Sequence, residues 1–313
     1  MLVLLKKVVL VMDSFAIVVD SSIDLPEESI RALGIDVLPM PFELDGKPHN
    51  QGYWQEISDK EYYDALRNGG VAKTSMVNQG TFAAAYKSYA EQGRDALFIV
   101  LSSGLSATAD HAEKALQDTK KDYPDCGLYL VDGINATIGH GLLALLAAER
   151  RSEGLSAGET AAWLEEHKHY CYALFTVDDL MYLHRGGRLS KISAIAGSAL
   201  GIKPVLNILP DGTLKLKDKV RGRKAALRLL ISQLKRSLAP GAVLDRAFIS
   251  HTDCLEDAQT LAGMIGEAYP SCDVTVMMMG PVIGAHVGPG ALTLIFKADI
   301  TRAEYEKQFY GGE

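Results

Sequence analysis

Three short apolar runs constrain this chain most: AIVVD at 16–20, ALFIV at 96–100 and LYLVD at 128–132. Each is nearly continuous in hydrophobic residues and runs into a loop of small polar ones. A strand that is apolar on both faces needs cover above and below. Helical patterns such as NQGTFAAAYKSYAEQG and SATADHAEKALQDTKKDYP lie between and after these runs. Strands of this kind alternating with helices predict a parallel α/β sheet. Two helix starts carry a capping box, Ser58 with Glu61 and Ser156 with Glu159. An extended β arm is expected near 36–57, turning at Asp45-Gly46.

The pattern changes near residue 168. Strands CYALFTV, GIKPVLNILP, TLKLKDKV, RAFISH, CDVTVMMMG and ALTLIFKA follow, with helices expected around 178–184, 190–200, 222–237 and 254–268. Asp211-Gly212 predicts a hairpin turn. The chain divides accordingly into an N-terminal parallel α/β domain, 1–168, and a C-terminal α+β domain, 169–313, with a mainly antiparallel sheet. PVIGAHVGPGALTLIF, 281–296, splits into a core strand, ALTLIF, and a preceding loop, GAHVGPG. Its glycines would let the backbone come close to whatever fills a cleft between the domains. His286 is then expected to face the cleft mouth, with a hydrogen-bonded core histidine as the other reading.

Composition narrows the function. At 313 residues and 48% hydrophobic, the chain can bury two cores. A formal charge of −7 argues against nonspecific nucleic-acid binding. Cys126, Cys171, Cys254 and Cys272 form no CxxC pair, so neither a zinc spacing nor a redox motif is present, and reduced thiols fit a cytoplasmic protein. The first residues, MLVLLKKVVLVMD, are split by Lys6 and Lys7 and closed by Asp13, too short a run to span a bilayer. They are expected to be a leader before the first strand, a misplaced start being the other reading.

Four loops carry the candidate chemistry: DSSIDLP, KTSMVNQG, SSGLSATAD and DGINATIGHG. In an open parallel sheet, ligands bind beyond the carboxyl ends of the strands. Thr74 and Ser75 precede one helix, and Ser102, Ser103 and Ser106 precede another. Together they can hold a small anion, although any one alone reads better as a helix cap; four such loops on one edge favour a site. Asp20 and Asp24 fit capping better than metal ligation, and His111 and His140 are expected on helix surfaces. No GxSxG elbow, GxGxxG or GxxxxGK[ST] motif is present.

The segment from Arg185 to Arg228 holds eleven Lys or Arg and only Asp211 and Asp218 against them, a net +9. Such asymmetry suits an anionic partner or ligand. For Lys215, Lys217 and Lys219 the alternation suggests the solvated side of an exposed strand. HRGGRLSK is more specific, because two glycines give the flanking guanidinium groups a defined direction.

Six segments in order resemble the DegV family of bacterial fatty-acid-binding proteins: IVVDSSIDLP, KTSMVNQGTF, SSGLSATA, GLLALLAAE, FTVDDLMYLHRGGRLSK with LGIKPVLNI and KVRGRKAAL, and PVIGAHVGPGALTLIF. They span Ala16 to Phe296. The resemblance implies one long-chain fatty acid between two domains, its carboxylate held at Thr74 and Ser106, with no cofactor, no metal and no catalysis by the chain itself. It also implies a partner, an ATP-dependent fatty acid kinase subunit that makes an acyl-phosphate. Ser75, Ser103, Gly104, His286 and Gly288 are secondary candidates for the ligand site. Arg185, Arg188 and Arg221 are candidates for the rim or the partner-facing surface. The helix GLLALLAA and the stretch AIAGSALGI are candidates to line an apolar tunnel, tight helix packing being the other reading. Met76, Val77, Asn78 and Ala107 depart from the usual family pattern beside the carboxylate site. Stable membrane insertion is not expected; transient contact with a membrane surface is compatible. The competing functions are a lipid-responsive sensor or interaction protein, and a phosphotransferase or hydrolase using the serine loops.

Overall fold

The computed structural model describes residues 14–49, 57–189 and 201–311. The leader, the end of the β arm and the helix expected at 190–200 lie outside the described residues.

The apolar runs form a parallel sheet. Strands β1 (Ala16–Asp20), β2 (Ile35–Leu38), β6 (Ala96–Val100) and β7 (Leu128–Asp132) lie in the order β2-β1-β6-β7. The chain leaves β1 to one side for β2 and then crosses to β6 on the other. The order therefore reverses between β1 and β6, which is where a crevice opens in such sheets. Helices α3 (Gln79–Glu91) and α4 (Thr108–Asp122) cover one face, where Phe98 meets Phe82 and Tyr86.

The second sheet follows the order β10-β9-β8-β13-β11-β12, built from β8 (Cys171–Thr176), β9 (Ile202–Ile208), β10 (Leu214–Arg221), β11 (Arg246–His251), β12 (Asp273–Met278) and β13 (Leu292–Lys297). Neighbours are antiparallel except β11 and β12, which are parallel. Its residues alternate: Leu174, Leu292, Leu294 and Phe296 pack outward with α8 (Arg223–Ser237) and α9 (Leu255–Ala268), while Ala173 and Ile295 face inward.

Helix α5 (Ile138–Ser152) sits between the two sheets and touches β1 and β6 of one and β8, β11 and β13 of the other. Every residue from Ile138 to Ala148 is buried. A helix apolar all round belongs inside, and GLLALLAA is accordingly packed core. None of it lines the cavity described below, contrary to the tunnel expectation. His140 is likewise buried and not on a helix surface. Its Nε2 is 2.9 Å from Ile99 O and its Nδ1 3.3 Å from Ser22 Oγ. His111 is half-buried and accepts from Gln79 N at 3.0 Å.

The β arm begins later than expected, because Ile35–Leu38 pairs with β1 in the parallel sheet. It is a small third sheet, β4-β3-β5, made of β3 (Phe42–Leu44), β4 (Lys47–His49) and β5 (Ala72–Thr74), so the start of KTSMVNQG is strand and not loop. Asp45 at φ 52 and Gly46 at φ 78 make the turn. Pairing with β3 sets Thr74 opposite Phe42. Both expected capping boxes are present, on α2 (Asp59–Arg67) and α6 (Ala157–His167), and Thr301 with Glu304 adds one on α11 (Arg302–Tyr310).

Two further expectations fail for local reasons. GAHVGPG is mostly not a loop. Pro281–Val287 forms helix α10, with proline in the first turn where its missing N–H costs nothing. Gly284 sits inside that helix because Tyr63 lies against it; a Cβ there would meet the Tyr63 hydroxyl at 2.3 Å. Lys217 does not share a solvated strand face with Lys215 and Lys219. A bulge between Leu216 and Asp218 turns it inward, where it pairs with Glu306 and stands over the Tyr310 ring.

The β6–α4 loop meets the β9–β10 hairpin backbone to backbone. Ser102 Oγ donates to Gly212 O at 2.9 Å, and a Cβ on Gly104 would stand 2.5 Å from Gly212 C. Gly104→Ala is expected to lower stability by about 1–3 kcal/mol in urea unfolding; an unchanged midpoint would mean that the two segments part without cost.

Candidate functional site

Beyond the N-terminal end of α5, residues of both sheets and of α10 surround an open space. A cavity of about 400 Å³ fills that space, within the range of about 300–1,000 Å³ usual for small-molecule sites. Leu101 and Ala136 face it from the parallel sheet's loops, Ala173 and Phe175 from β8, and Val282 and Ile283 from α10. The wall is mostly apolar. Its polar residues are Thr74, Ser75, Ser106, Thr137, Arg188, His286 and Thr293.

Thr74 and His286 come together from opposite ends of the sequence. Thr74 ends β5, and His286 lies in the last turn of α10. Their Oγ1 and Nε2 atoms are 2.7 Å apart. Burial pushes His286 down to about 4, and the nearby Arg188 guanidinium adds to this. The ring is therefore neutral at pH 7. Its Nδ1 is buried with no hydrogen-bond partner among the described residues. A Cβ on Gly186 would stand 2.4 Å from that atom, so the first glycine of HRGGR makes room for the ring. The second, Gly187, takes φ 75.

Arg188 reaches across. Its Nε donates to Leu105 O at 2.8 Å and its Nη1 to Gly186 O, and burial lowers its pKa. Ser106 stands just before Ala107, the N-cap of α4; its Oγ accepts from Thr108 N at 3.3 Å and is 2.9 Å from Thr108 Oγ1. The Ser75 amide donates to Pro41 O at 2.8 Å. Thr137, immediately before α5, has φ 50 and ψ −143 and bonds Ser250 Oγ at 3.0 Å. Such backbone strain is costly unless surrounding structure enforces it.

A second recess of about 430 Å³ lies outside this wall and shares Thr74, Arg188 and His286 with the cavity. Lys73, Arg185 and Tyr182 join its lining, and Arg185 stacks on Tyr182 at 4.5 Å.

Other expected positions fall elsewhere. Ser103 is exposed and bonds Asp132, its Oγ donating at 2.5 Å. Gly104 abuts the hairpin and does not line the cavity. Gly288 is the C-cap of α10, at φ 70 against the Tyr182 ring, and its carbonyl accepts from Thr252 Oγ1 at 2.7 Å. Arg221 is exposed at the end of the outermost strand β10 and lines neither space. AIAGSALGI falls largely outside the described residues. Asp20 acts as a cap, its Oδ1 accepting from Ser22 N at 3.1 Å and its Oδ2 from Leu101 N at 2.7 Å. Thr137, Phe175 and Met279 line the cavity without any local motif to mark them. Strand alternation could have found Phe175, two residues from Ala173 on the same face.

An α/β protein with an apolar cavity between two sheets and a hydroxyl–imidazole end is the class this geometry defines. The chain belongs to the DegV family: the model described as "Uncharacterised protein, DegV family" matches residues 14–299. A DegV domain-containing protein of Clostridium perfringens is 38% identical, covering 92% of this chain and 99% of its own. Among solved structures, a DegV family protein of Thermus thermophilus, described for its fatty acid binding, superposes with a TM-score of 0.80 at 28% identity, over 91% of this chain and 99% of that one. DegV of Bacillus subtilis, described as a fatty acid binding protein, gives 0.76 at 29%, again over 91% and 99%. No helix among the described residues is long and apolar enough to cross a membrane.

A histidine with a depressed pKa binds fewer protons folded than unfolded. His286 is therefore expected to make stability fall as pH drops from about 6.5 toward about 4, by on the order of 1–3 kcal/mol. Unfolding of His286→Gln across that window should be flatter by this amount; an equal slope would mean that the ring is already charged or solvated in the native state.

Proposed function

We propose that the chain binds a long-chain fatty acid, its tail in the inter-sheet cavity and its carboxylate at Thr74 and Ser106, and presents that carboxylate to a separate ATP-dependent kinase for acyl-phosphate formation. The observation that carries the reading is an apolar cavity with hydroxyls and a neutral imidazole on its wall. An acyl chain gains about 0.8 kcal/mol per buried methylene, so about fifteen give roughly 12 kcal/mol. Association costs about 4–15 kcal/mol, so the head group needs little net attraction. Hydroxyls can hold a carboxylate without a locked ion pair, which keeps its oxygen nucleophilic toward a phosphoryl donor.

Hand-over to a kinase finds support in the outer recess. Lys73 and Arg185 flank the same Thr74–Arg188–His286 wall from the other side, a suitable setting for phosphate charge. On this reading the domains expected at 1–168 and 169–313 are the two sides of the ligand site, and the chain works in the cytoplasm. Its four cysteines are free. A hydrolase reading has less behind it: Ser103 pairs with Asp132, and among the described residues no histidine hydrogen-bonds either.

Mass spectrometry of the purified folded chain is expected to find a copurified fatty acid. A repeatedly ligand-free protein that gains no thermal stability from palmitate or oleate would sink the proposal. Thr74→Ala with Ser106→Ala should weaken palmitate binding about tenfold or more, and an unchanged affinity would move the carboxylate elsewhere. His286→Ala should abolish kinase-dependent phosphorylation more than it weakens fatty-acid binding; the reverse order would make His286 a ligand contact only.

A further inference from the structure

The carboxyl of Asp24 is buried with only one oxygen fully hydrogen-bonded. It follows β1 at φ 51, a left-handed conformation that side chains with a Cβ seldom adopt. It is 3% exposed. Its Oδ1 accepts from the backbone N–H of Gly280 at 3.0 Å, linking the first strand to the start of α10. Its Oδ2 is buried without a hydrogen bond of full geometry. The ionisable groups that face it are Asp20 from β1 and Asp59 and Tyr63 from α2. Burial pushes the carboxyl up to about 7, while the Thr137 hydroxyl and the Gly280 amide pull it back part of the way. A buried carboxyl held in this way is costly to keep, and such groups cluster at functional sites.

The contact is built on both sides. A Cβ on Gly280 would stand 2.6 Å from Asp24 Oδ1, so amide and carboxyl meet only because residue 280 is glycine. Tyr63 grips the same turn, its hydroxyl donating to Met279 O at 2.6 Å. Downstream, Val282, Ile283, His286 and Val287 of α10 all line the cavity. Helix α10 is only seven residues long, so its placement rests on these anchors and not on its own stability.

We propose that Asp24 is a positioning residue for the polar end of the cavity, holding α10 through the Gly280 amide so that His286 meets Thr74. What that pair is for rests on the fatty-acid reading; its geometry belongs to the ligand-free chain. The test uses the full chain without added lipid and follows the His286 ring by NMR, assigned with His286→Gln. Because the ring itself is neutral well below pH 7, an inflection of its shift near pH 7 reports Asp24. Wild type is expected to show that inflection. Asp24→Asn keeps the shape and the acceptor, and should remove the inflection while leaving the resting shift in place. Gly280→Ala drives the carboxyl off the amide, and should move the ring toward the shift of an exposed histidine.

The proposal is overturned if Asp24→Ala, which removes the acceptor, or Gly280→Ala folds with an unmoved ring, or if Asp24→Asn retains the wild-type inflection. If Gly280→Ala does not fold, Asp24→Ala decides. Hexadecanoate affinity, measured in parallel, should fall about tenfold in Gly280→Ala and stay within about twofold in Asp24→Asn. Failure of wild type to bind hexadecanoate would overturn the function proposed above and leave the ring measurement to decide Asp24.

Discussion

Burial of helix α5 between two sheets is the constraint on which the rest of the molecule depends. A helix with its side chains is about 10–12 Å across, and α5 sets the distance between the sheets wherever it lies. Its glycines allow close approach. A Cβ on Gly141 would stand 2.9 Å from Ile23 O, and one on Gly139 would strike the Asn135 side chain. At its N-terminal end the cavity begins, bounded there by Ala136 and the strained Thr137 and lined further on by α10.

The same geometry explains why the polar groups gather where they do. The parallel sheet reverses its strand order between β1 and β6, so the loops after these strands diverge and leave an opening. Asp20 ties the two loops together through the Leu101 amide, which leads toward Leu105 and Ser106. Asp24 ties the first loop to α10, which carries His286. The short β arm delivers Thr74 from the third side. Most polar groups removed from water find partners. Thr74, His286 and Asp24 find theirs across elements distant in sequence, so the site and the packing of the two sheets are one arrangement.

Much of this was legible in the residues. AIVVD, ALFIV and LYLVD fall within or define β1, β6 and β7, and the capping boxes start α2 and α6. Periodicity and caps are local properties, readable without partners. The failures share one cause. GAHVGPG looked like a loop because glycine is the poorest helix former after proline. Gly284 is there to admit Tyr63 and Gly280 to admit Asp24, and neither need is visible along the chain. His140 carries a polar ring on a helix that seemed to need an exposed face, but Ser22 and Ile99 satisfy it inside. Lys217 follows the expected alternation until a bulge shifts it by one residue.

By itself the sequence determined most strands and helices, the parallel and mainly antiparallel character of the two main sheets, and the family. These follow from hydrophobic period and turn chemistry, which act over a few residues. Only the tertiary structure decided which hydroxyls face the cavity and which merely cap, that Thr74 meets His286, and that Asp24 answers to Gly280. Those are contacts across 212 and 256 residues. They exist because α5 is buried between the sheets, and no local pattern can encode a distance that a third element sets.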